Sequence, residues 1–515
     1  MSLTHNPTNL NNNGIVLVEP TNTKLMSPSL ILRGNTLEPY AIESIGAYSS
    51  HNGFDNIHII QQYSLSDEEL IQEILTHSPL VVGFSVLTCD YSRIVEIASK
   101  IKTCIPNVYI VLGGYHPTLN IEDTLQNKCI DFVVFGEGEI TFCELINTII
   151  HKDNGYSQID GLAYKIDSKV IVNRPRARIK NPDDLPPILR NEKLLKRSRN
   201  WNLSYPSPLE QMGVAQISFS RGCLFNCNFC ISPTLWNEAT FLENNNTITY
   251  RSVDNVIDEI KNVKNRFKIN FIYFNDLTIN NSESRLQSLC KAITENGLHN
   301  PYLDVNRESD VKDNIHWFCL AKIGLTAETA GLMAKAGCSK IGFGVESFYK
   351  KGHTEMHKPF KGFTDIKETL EHTDSVGIIN RVYIILGVQN ETLESIQATI
   401  DGLLSTKVDQ IRIAYFTPFP GSELYNEYKD KDLLIEDDLA KFDGDTPVVK
   451  CSYMSTQELV ESRKKIVDSF YSSPIFIERC SDKIKRFPRL YNSYKYFVNE
   501  LFELSNGEIN IRKIL

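Results

Sequence analysis

Three thiols are set apart by their spacing. Cys223, Cys227 and Cys230 fall within eight residues, in the stretch Ser218-Phe-Ser-Arg-Gly-Cys-Leu-Phe-Asn-Cys-Asn-Phe-Cys230. The run Val214 to Phe219 leading into them is apolar and reads as a strand. Thiolates this close together, in a chain with no sign of secretion, point to a metal site rather than to disulfides. Three ligands are one short of a closed tetrahedral zinc site, and the motif contains no histidine to complete it. A four-iron cluster held by three cysteines would keep one iron open to a further ligand. A buried thiol cluster or adventitious zinc is the competing reading.

The chain around the thiols has 515 residues, enough for two to four domains, each able to bury a core. Its composition, 42% hydrophobic and 23% charged, is that of an ordinary soluble protein. A net charge of −9 gives a nucleic-acid partner no general attraction, so none is expected. No apolar run approaches the ~18 residues of a spanning helix. Met1 to Asn13 is polar and Asn-rich, lacks the basic-then-apolar order of a leader, and reads as a disordered lead-in. Twelve cysteines without secretion indicate a reducing cytoplasm. The nine outside the motif, Cys89, Cys104, Cys129, Cys143, Cys290, Cys319, Cys338, Cys451 and Cys480, read as small buried hydrophobes.

Two successive α/β alternations must position any site. In residues 14–152 strands are expected at Ile15 to Glu19, Asn56 to Gln61, Leu80 to Ser85, Val108 to Leu112 and Asp131 to Phe135. Helices are expected near Tyr40 to Ser50, Ser66 to Thr76, Tyr91 to Thr103 and Glu139 to His151, with Ser66 and Glu69 placed as a capping box. Near-continuous Val/Ile runs indicate strands covered on both faces. This is a doubly wound, Rossmann-like parallel sheet, whose ligand should lie at the carboxyl ends of the strands. Those ends read Gly83-Phe-Ser-Val-Leu-Thr88, Gly113-Gly-Tyr-His-Pro-Thr118 and Gly136-Glu-Gly-Glu139. Glycines there admit a bulky ligand, and helices beginning just after accept polar or anionic groups. A generic nucleotide site would share these features.

Residues 153–210 form a connector. Tyr156 to Ile179 reads as a hairpin turning at Ile166-Asp-Ser-Lys169, Asn181 to Pro187 as an extended linker, and Lys193 to Arg199 as a solvated basic face. In residues 211–430 six strands are expected: Val214 to Phe219, Asn270 to Phe274, Ile315 to Ala321, Lys340 to Val345, Arg381 to Leu386 and Asp409 to Phe416. The intervening helices are Val253 to Phe267, Ser282 to Glu295, Thr326 to Ala336 (Gly337 at its C-cap), Thr364 to Ser375 and Thr392 to Leu404. This suits a partial (β/α)6 TIM-like barrel with its site at the carboxyl ends of the strands. Residues 431–515 lose the alternation. Ser455 to Ser473, Asp482 to Arg486 and Arg489 to Leu504 read as helices of a cap over the barrel mouth. Arg381 and Arg412 could meet a substrate carboxylate or sit in ion pairs, the preferred reading. Trp317, Tyr383 and Tyr415 could line a cavity or pack the core. Cys319 and Cys338 read as structural rather than reactive.

The cysteine spacing, with Phe229 before the last thiol, resembles that of the radical S-adenosylmethionine enzymes. Their remaining motifs are matched in order at the expected strand ends. Phe274-Asn-Asp-Leu-Thr278 resembles the acidic segment that meets the amino group of S-adenosylmethionine, with Asn275 in place of its first acid and Asp276 retained. Gly342-Phe-Gly-Val-Glu-Ser347 resembles a Gly-x-Glu-Ser segment, making Glu346 and Ser347 cofactor contacts by analogy. Leu386-Gly-Val-Gln-Asn-Glu391 is similar to a Gly-x-Pro-x-Glu loop containing Gly387, with Gln389 replacing proline. Phe416 to Tyr425 resembles the segment that ends this barrel. The three loops of the first sheet resemble the cobalamin-binding domain placed before many of these enzymes. That resemblance implies Ser85, Thr88, Gly113, Gly114 and Gly136 as tail and corrin contacts, His116 in the loop shaping the pocket, and Glu137 as a further cofactor contact. The loop Glu19 to Met26 departs from the family in lacking an axial histidine, which leaves open a scaffold that binds no cobalamin.

The resemblance covers roughly residues 14–430. It implies a [4Fe-4S] cluster, S-adenosyl-L-methionine and methylcobalamin as cofactors and an external flavodoxin- or ferredoxin-like one-electron reductant. The substrate would be a small molecule or peptide. The implied activity is methyl transfer to an unactivated carbon through a 5′-deoxyadenosyl radical, with cyclisation or ring contraction as the nearest alternative. A non-catalytic cobalamin or iron–sulfur sensor or carrier is the alternative of another class.

Overall fold

The computed structural model describes residues 14–20, 37–62, 65–197, 213–238, 240–241, 248–301, 313–359 and 362–491, with isolated positions out to 514. The expected lead-in, most of the loop after the first strand and much of the helix expected at Arg489 to Leu504 lie outside these residues.

The first sheet has seven strands. β1 (Gly14–Glu19), β2 (Ile57–Gln61), β3 (Pro79–Ser85), β4 (Tyr109–Gly113) and β5 (Phe132–Val134) run parallel in the order β2-β1-β3-β4-β5. Its helices are α1 (Tyr40–His51), α2 (Asp67–Thr76), α3 (Tyr91–Cys104), two short turns α4 (Tyr115–Leu119) and α5 (Ile121–Gln126), and α6 (Gly138–His151). Two apolar clusters, one around Val16, Val82 and Ile110 and the other around Ile15, Val81 and Val111, cover opposite faces, as the unbroken Val/Ile runs require. The Ser66–Glu69 capping box is present. The expected hairpin forms as β6 (Leu162–Ile166) and β7 (Lys169–Val172), turning through positive-φ Asp167 and Ser168. It is not a separate connector element, because β6 pairs antiparallel with β5 and extends the first sheet.

The second sheet has six parallel strands: β8 (Val214–Ile217), β9 (Phe271–Phe274), β10 (His316–Ala321), β11 (Cys338–Glu346), β12 (Ile379–Leu386) and β13 (Gln410–Tyr415), in chain order with β8 and β13 at its edges. Its helices are α7 (Val253–Phe267), α8 (Glu283–Glu295), α9 (Ala327–Lys335), α10 (Lys350–Glu355), α11 (Phe363–Ser375), α12 (Leu393–Ser405) and α13 (Glu423–Asp430). Trp317 is fully buried with its indole N–H on Ala336 O, a core residue.

α14 (Thr456–Tyr471) and α15 (Pro474–Arg486) are helical as expected; α14 begins beside the carboxyl end of β12, with Leu459 against Gly387, and runs down the flank of the barrel to its amino ends. The Tyr471 hydroxyl accepts the N–H of Ile411 in edge strand β13. Lys483, fully buried, reaches Asp409 at 2.6 Å and Asp374 at 3.1 Å and donates to Ile378 O at the amino ends of β12 and β13. A buried ammonium must sit where its carboxylates are, and these lie at the bottom and flank of the barrel.

Candidate active site

The thiol loop is held at both ends. After β8, Ser220–Arg221 pair antiparallel with Thr249–Tyr250. Asp276, just past β9, accepts the N–H groups of Phe219 at 3.0 Å and Ser220 at 2.5 Å, and the Ser220 hydroxyl. It is 1% exposed, and burial, outweighing these bonds, pushes its carboxyl up to about 6. Both of its oxygens accept from the segment entering the thiol loop, so the carboxyl also positions that loop. At the far end, Asn228 N–H donates to Met356 O at 3.3 Å and its side-chain amide to Glu355 O at 2.9 Å, tying the loop to α10. Phe229 packs on Phe416, ring centroids 6.5 Å apart.

Burial pushes the Cys227 thiol up to about 12; the neighbouring Lys358 opposes this, while Cys230, Glu346 and Cys223 add to it. The three thiols, one acid and one ammonium thus share one electrostatic environment. Cys230 is raised by burial too, and its sulfur lies 3.3 Å from the Ser232 hydroxyl. Among the described residues no three His, Cys, Asp or Glu side chains are already gathered as a metal site. Three thiols on one loop are nevertheless the donor set of a cluster with one open iron.

Glu346 ends β11 at φ 63°, after a register break against β12. A left-handed non-glycine residue costs about 1–3 kcal/mol and persists only when its surroundings enforce it. Here Lys358 Nζ enforces it, bonding Glu346 Oε1 at 2.6 Å and Gly344 O at 2.8 Å. Sequence reasoning missed Lys358, since only the fold brings it back onto β11. Ser347 is bonded in both directions to Tyr349 and lines a small cleft with Met356, Ile385, Val388 and Glu391. Gly387 faces elsewhere. At φ 87° its N–H donates to Glu391 at 3.0 Å, and a Cβ would sit 2.8 Å from Leu459 of α14, so this glycine admits the C-terminal helix.

In the first sheet the expected residues cluster at the ends of β3, β4 and β5. Val86 N–H donates to Gly113 O at 2.8 Å. At φ 91°, Gly114 would drive a Cβ to 2.8 Å from Val86 N, so Ser85 and the two glycines form one close backbone crossing. Gly136 also has positive φ, 77°. His116 is 2% exposed, 3.3 Å from the Thr88 hydroxyl and packed on Tyr91. Burial lowers it to about 4, so it is neutral and part of the support beneath the loop rather than a pocket wall. Glu137 pairs with Arg221 at 2.8 Å and accepts Ile179 N–H at 2.8 Å. The Thr118 hydroxyl is buried without a partner, an orphan a bound ligand could satisfy.

The carboxyl ends of the two sheets face each other. Arg221 spans to Glu137 and to Glu139 at 2.7 Å. Asn120 donates to Pro420 O at 2.9 Å, and Gly421, φ 88°, lets Leu119 O approach to where a Cβ would lie 2.4 Å away. Thr88–Asp90 packs against Leu439–Lys441. Tyr115, unremarked in the sequence, projects from the Gly-Gly turn into this junction, where burial and then Cys230 raise its phenol.

Residues 28–146 match the B12 binding domain family and residues 217–403 the Radical SAM superfamily. The chain belongs to the cobalamin-dependent radical S-adenosylmethionine enzymes. It is 28% identical over 419 residues to an uncharacterised methyltransferase of Pyrococcus horikoshii, spanning 80% of this chain and 82% of that protein. It is 24% identical over 481 residues to the anaerobic magnesium-protoporphyrin IX monomethyl ester cyclase of Rubrivivax gelatinosus, spanning 90% and 79%. The fold is similar to that of the radical S-adenosylmethionine methyltransferase TsrM from Kitasatospora setae with cobalamin and a [4Fe-4S] cluster bound, at TM-score 0.68 and 15% identity over 94% of this chain and 99% of that one. The family's cofactors are cobalamin, the cluster and S-adenosylmethionine, and the thiol loop and the glycine crossing are the residues whose chemistry suits them. Among the described residues no helix is long and apolar enough to cross a membrane.

Proposed function

We propose that this radical enzyme is a C-methyltransferase. The observation that carries the reading is the mouth-to-mouth arrangement, with Tyr115 of the first sheet beside Cys230 of the second. When bound, S-adenosylmethionine with the cluster supplies a 5′-deoxyadenosyl radical, and methylcobalamin supplies a methyl group. Cys223, Cys227 and Cys230 would hold the cluster. Glu346, fixed by Lys358, and Ser347 at the cleft would position S-adenosylmethionine. Ser85, Gly113, Gly114 and Gly136 would cradle cobalamin, with His116 and Thr88 as support. The protein's own work is to align these groups and exclude water from the junction. A flavodoxin- or ferredoxin-like donor in the cytoplasm would deliver the electron to a chain acting on a small molecule or peptide.

The test is anaerobic reconstitution with iron, sulfide, cobalamin, S-adenosylmethionine and dithionite. Release of 5′-deoxyadenosine that vanishes in Cys227→Ala, with a product heavier by one CH₂, supports methyl transfer. The cyclases among the relatives motivate a second reading, rearrangement without added carbon. A product of unchanged carbon count would establish it and end the methylase reading.

A further inference from the structure

We propose that Arg381 binds an oxyanion of the substrate, a carboxylate or phosphate, inside the barrel on β12. The inference rests on the reading that the barrel interior receives the substrate. Asn380 on this strand bonds Thr373 and Leu370 of α11, and Val382 and Ile384 join the core between sheet and helices. Period-two alternation therefore turns Arg381 and Tyr383 to the opposite face, the interior. In register, Arg381 stands between Gly342 of β11 and Gln410 of β13.

Arg381 is 4% exposed, and its Nε and Nη2 are buried with no hydrogen-bond partner. Among the described residues it has no acidic partner. Its guanidinium lies 5.7 Å from the Tyr383 ring centroid. The contrast is with Arg412, one strand over, which is bonded through both Nη atoms to Asp445 at 2.7 and 2.8 Å. A guanidinium does not shed its proton, and a buried charge without a counter-ion is unfavourable. Its planar fork is shaped for two oxygens of one oxyanion. One phenol completes the site. A Cβ at Gly342 would meet the Tyr383 ring at 2.7 Å, so that ring lies across β11. The phenol O–H group of Tyr383 can donate to an oxygen that the guanidinium leaves free.

The same chemistry exists in the carboxylate of S-adenosylmethionine, so the experiment must separate the two sources. Thermal unfolding of the full chain, without cofactors, is followed against inorganic phosphate and against acetate at matched ionic strength. Phosphate or acetate is expected to raise the Tm of the wild type and of Arg412→Gln but not of Arg381→Gln; the more effective anion names the substrate group. Without anions, Arg381→Gln should be no less stable than the wild type, because a charge with no acidic partner among the described residues has been removed. Should Arg381→Gln fail to fold, Tyr383→Phe serves instead, with the anion midpoint expected to weaken roughly tenfold. No anion effect in the wild type, an equal effect in Arg381→Gln, or lost S-adenosylmethionine binding in that variant by equilibrium dialysis would overturn the proposal. The anion readouts need neither cluster nor turnover, and the dialysis, run on the reconstituted chain, needs no turnover, so they stand whether or not methyl transfer is found.

Discussion

Arg221 lies 2.8 Å from Glu137, across the boundary between the two sheets and two residues before Cys223. Its other amino group reaches Glu139 at 2.7 Å, and Ser44 donates to the same carboxylate at 2.8 Å. One guanidinium thus ties the segment entering the thiol loop to the loop after β5. In Arg221→Gln two buried carboxylates would face each other without a cation. Breaking a buried pair in this way costs about 3–5 kcal/mol. The expected outcome is unfolding in two steps by calorimetry rather than one, with 5′-deoxyadenosine formation lost while isolated cobalamin binding is retained.

Gly421→Ala should act at the second tether. A Cβ at φ 88° would press on the backbone oxygen of Leu119 at 2.4 Å, which cannot swing aside as a flexible side chain would. The expected result is lower Tm and faster proteolysis between the sheets, with Gly297→Ala, where a Cβ meets nothing within 4 Å, as the control at another positive-φ glycine.

Asp276 predicts a pH signature. Its carboxyl is raised to about 6 from an ordinary 3.8, so the folded chain holds this proton more tightly than the unfolded one. The associated stability is fully present below about pH 4 and is lost as pH rises to about 6, at most about 3 kcal/mol for a shift of this size. Chemical denaturation across this window should show the slope in the wild type and lose this component in Asp276→Asn. The asparagine variant should also retain less iron after reconstitution, because one acceptor behind Phe219 and Ser220 has become a donor.

Lys483→Met should be strongly destabilising, by about 3–5 kcal/mol in urea unfolding, since it leaves Asp409 buried without its cation and Asp374 with Arg486 alone. Lys483→Met combined with Asp409→Asn should recover part of the loss, which a purely steric effect would not allow.

The elements are legible where periodicity is long. The helix expected at Val253 to Phe267 is found with those bounds, started by Ser252 accepting Asn255 N–H. α4, α5 and α10 are not legible, because a turn or so of helix offers too few positions to show a period. The cysteine triplet and Glu346 announce themselves by spacing, whereas Lys358 does not. Arg381 and Arg412 look alike as strand arginines, and among the described residues only Arg412 has an acid, which arrives from a loop that no local pattern connects to it. Asp276 stands out in the sequence, yet its bracing of the thiol loop does not. An acid at a strand end is visible in a sequence, and the N–H groups it has already captured are not. The course of the C-terminal helices is hidden for the same reason: α14 begins beside Gly387 at a strand's carboxyl end, whereas Lys483 of α15 sits at the amino ends. Amphipathicity shows that a face is buried and leaves open against what.

The Tyr471 hydroxyl that takes the Ile411 N–H has a consequence for how the chain is made. β13 is the last strand of an open sheet, and its outer edge is closed by a side chain that leaves the ribosome well after the strand itself. The thiol loop, in contrast, emerges early. During synthesis the nascent sheet therefore offers an unsealed edge while the thiols are already made, and the edge is sealed only when α14 docks. Cluster delivery and protection of that edge become demands of the same interval of translation, a window in which slow elongation through residues 430–471 would expose the chain to misassociation and oxidation alike.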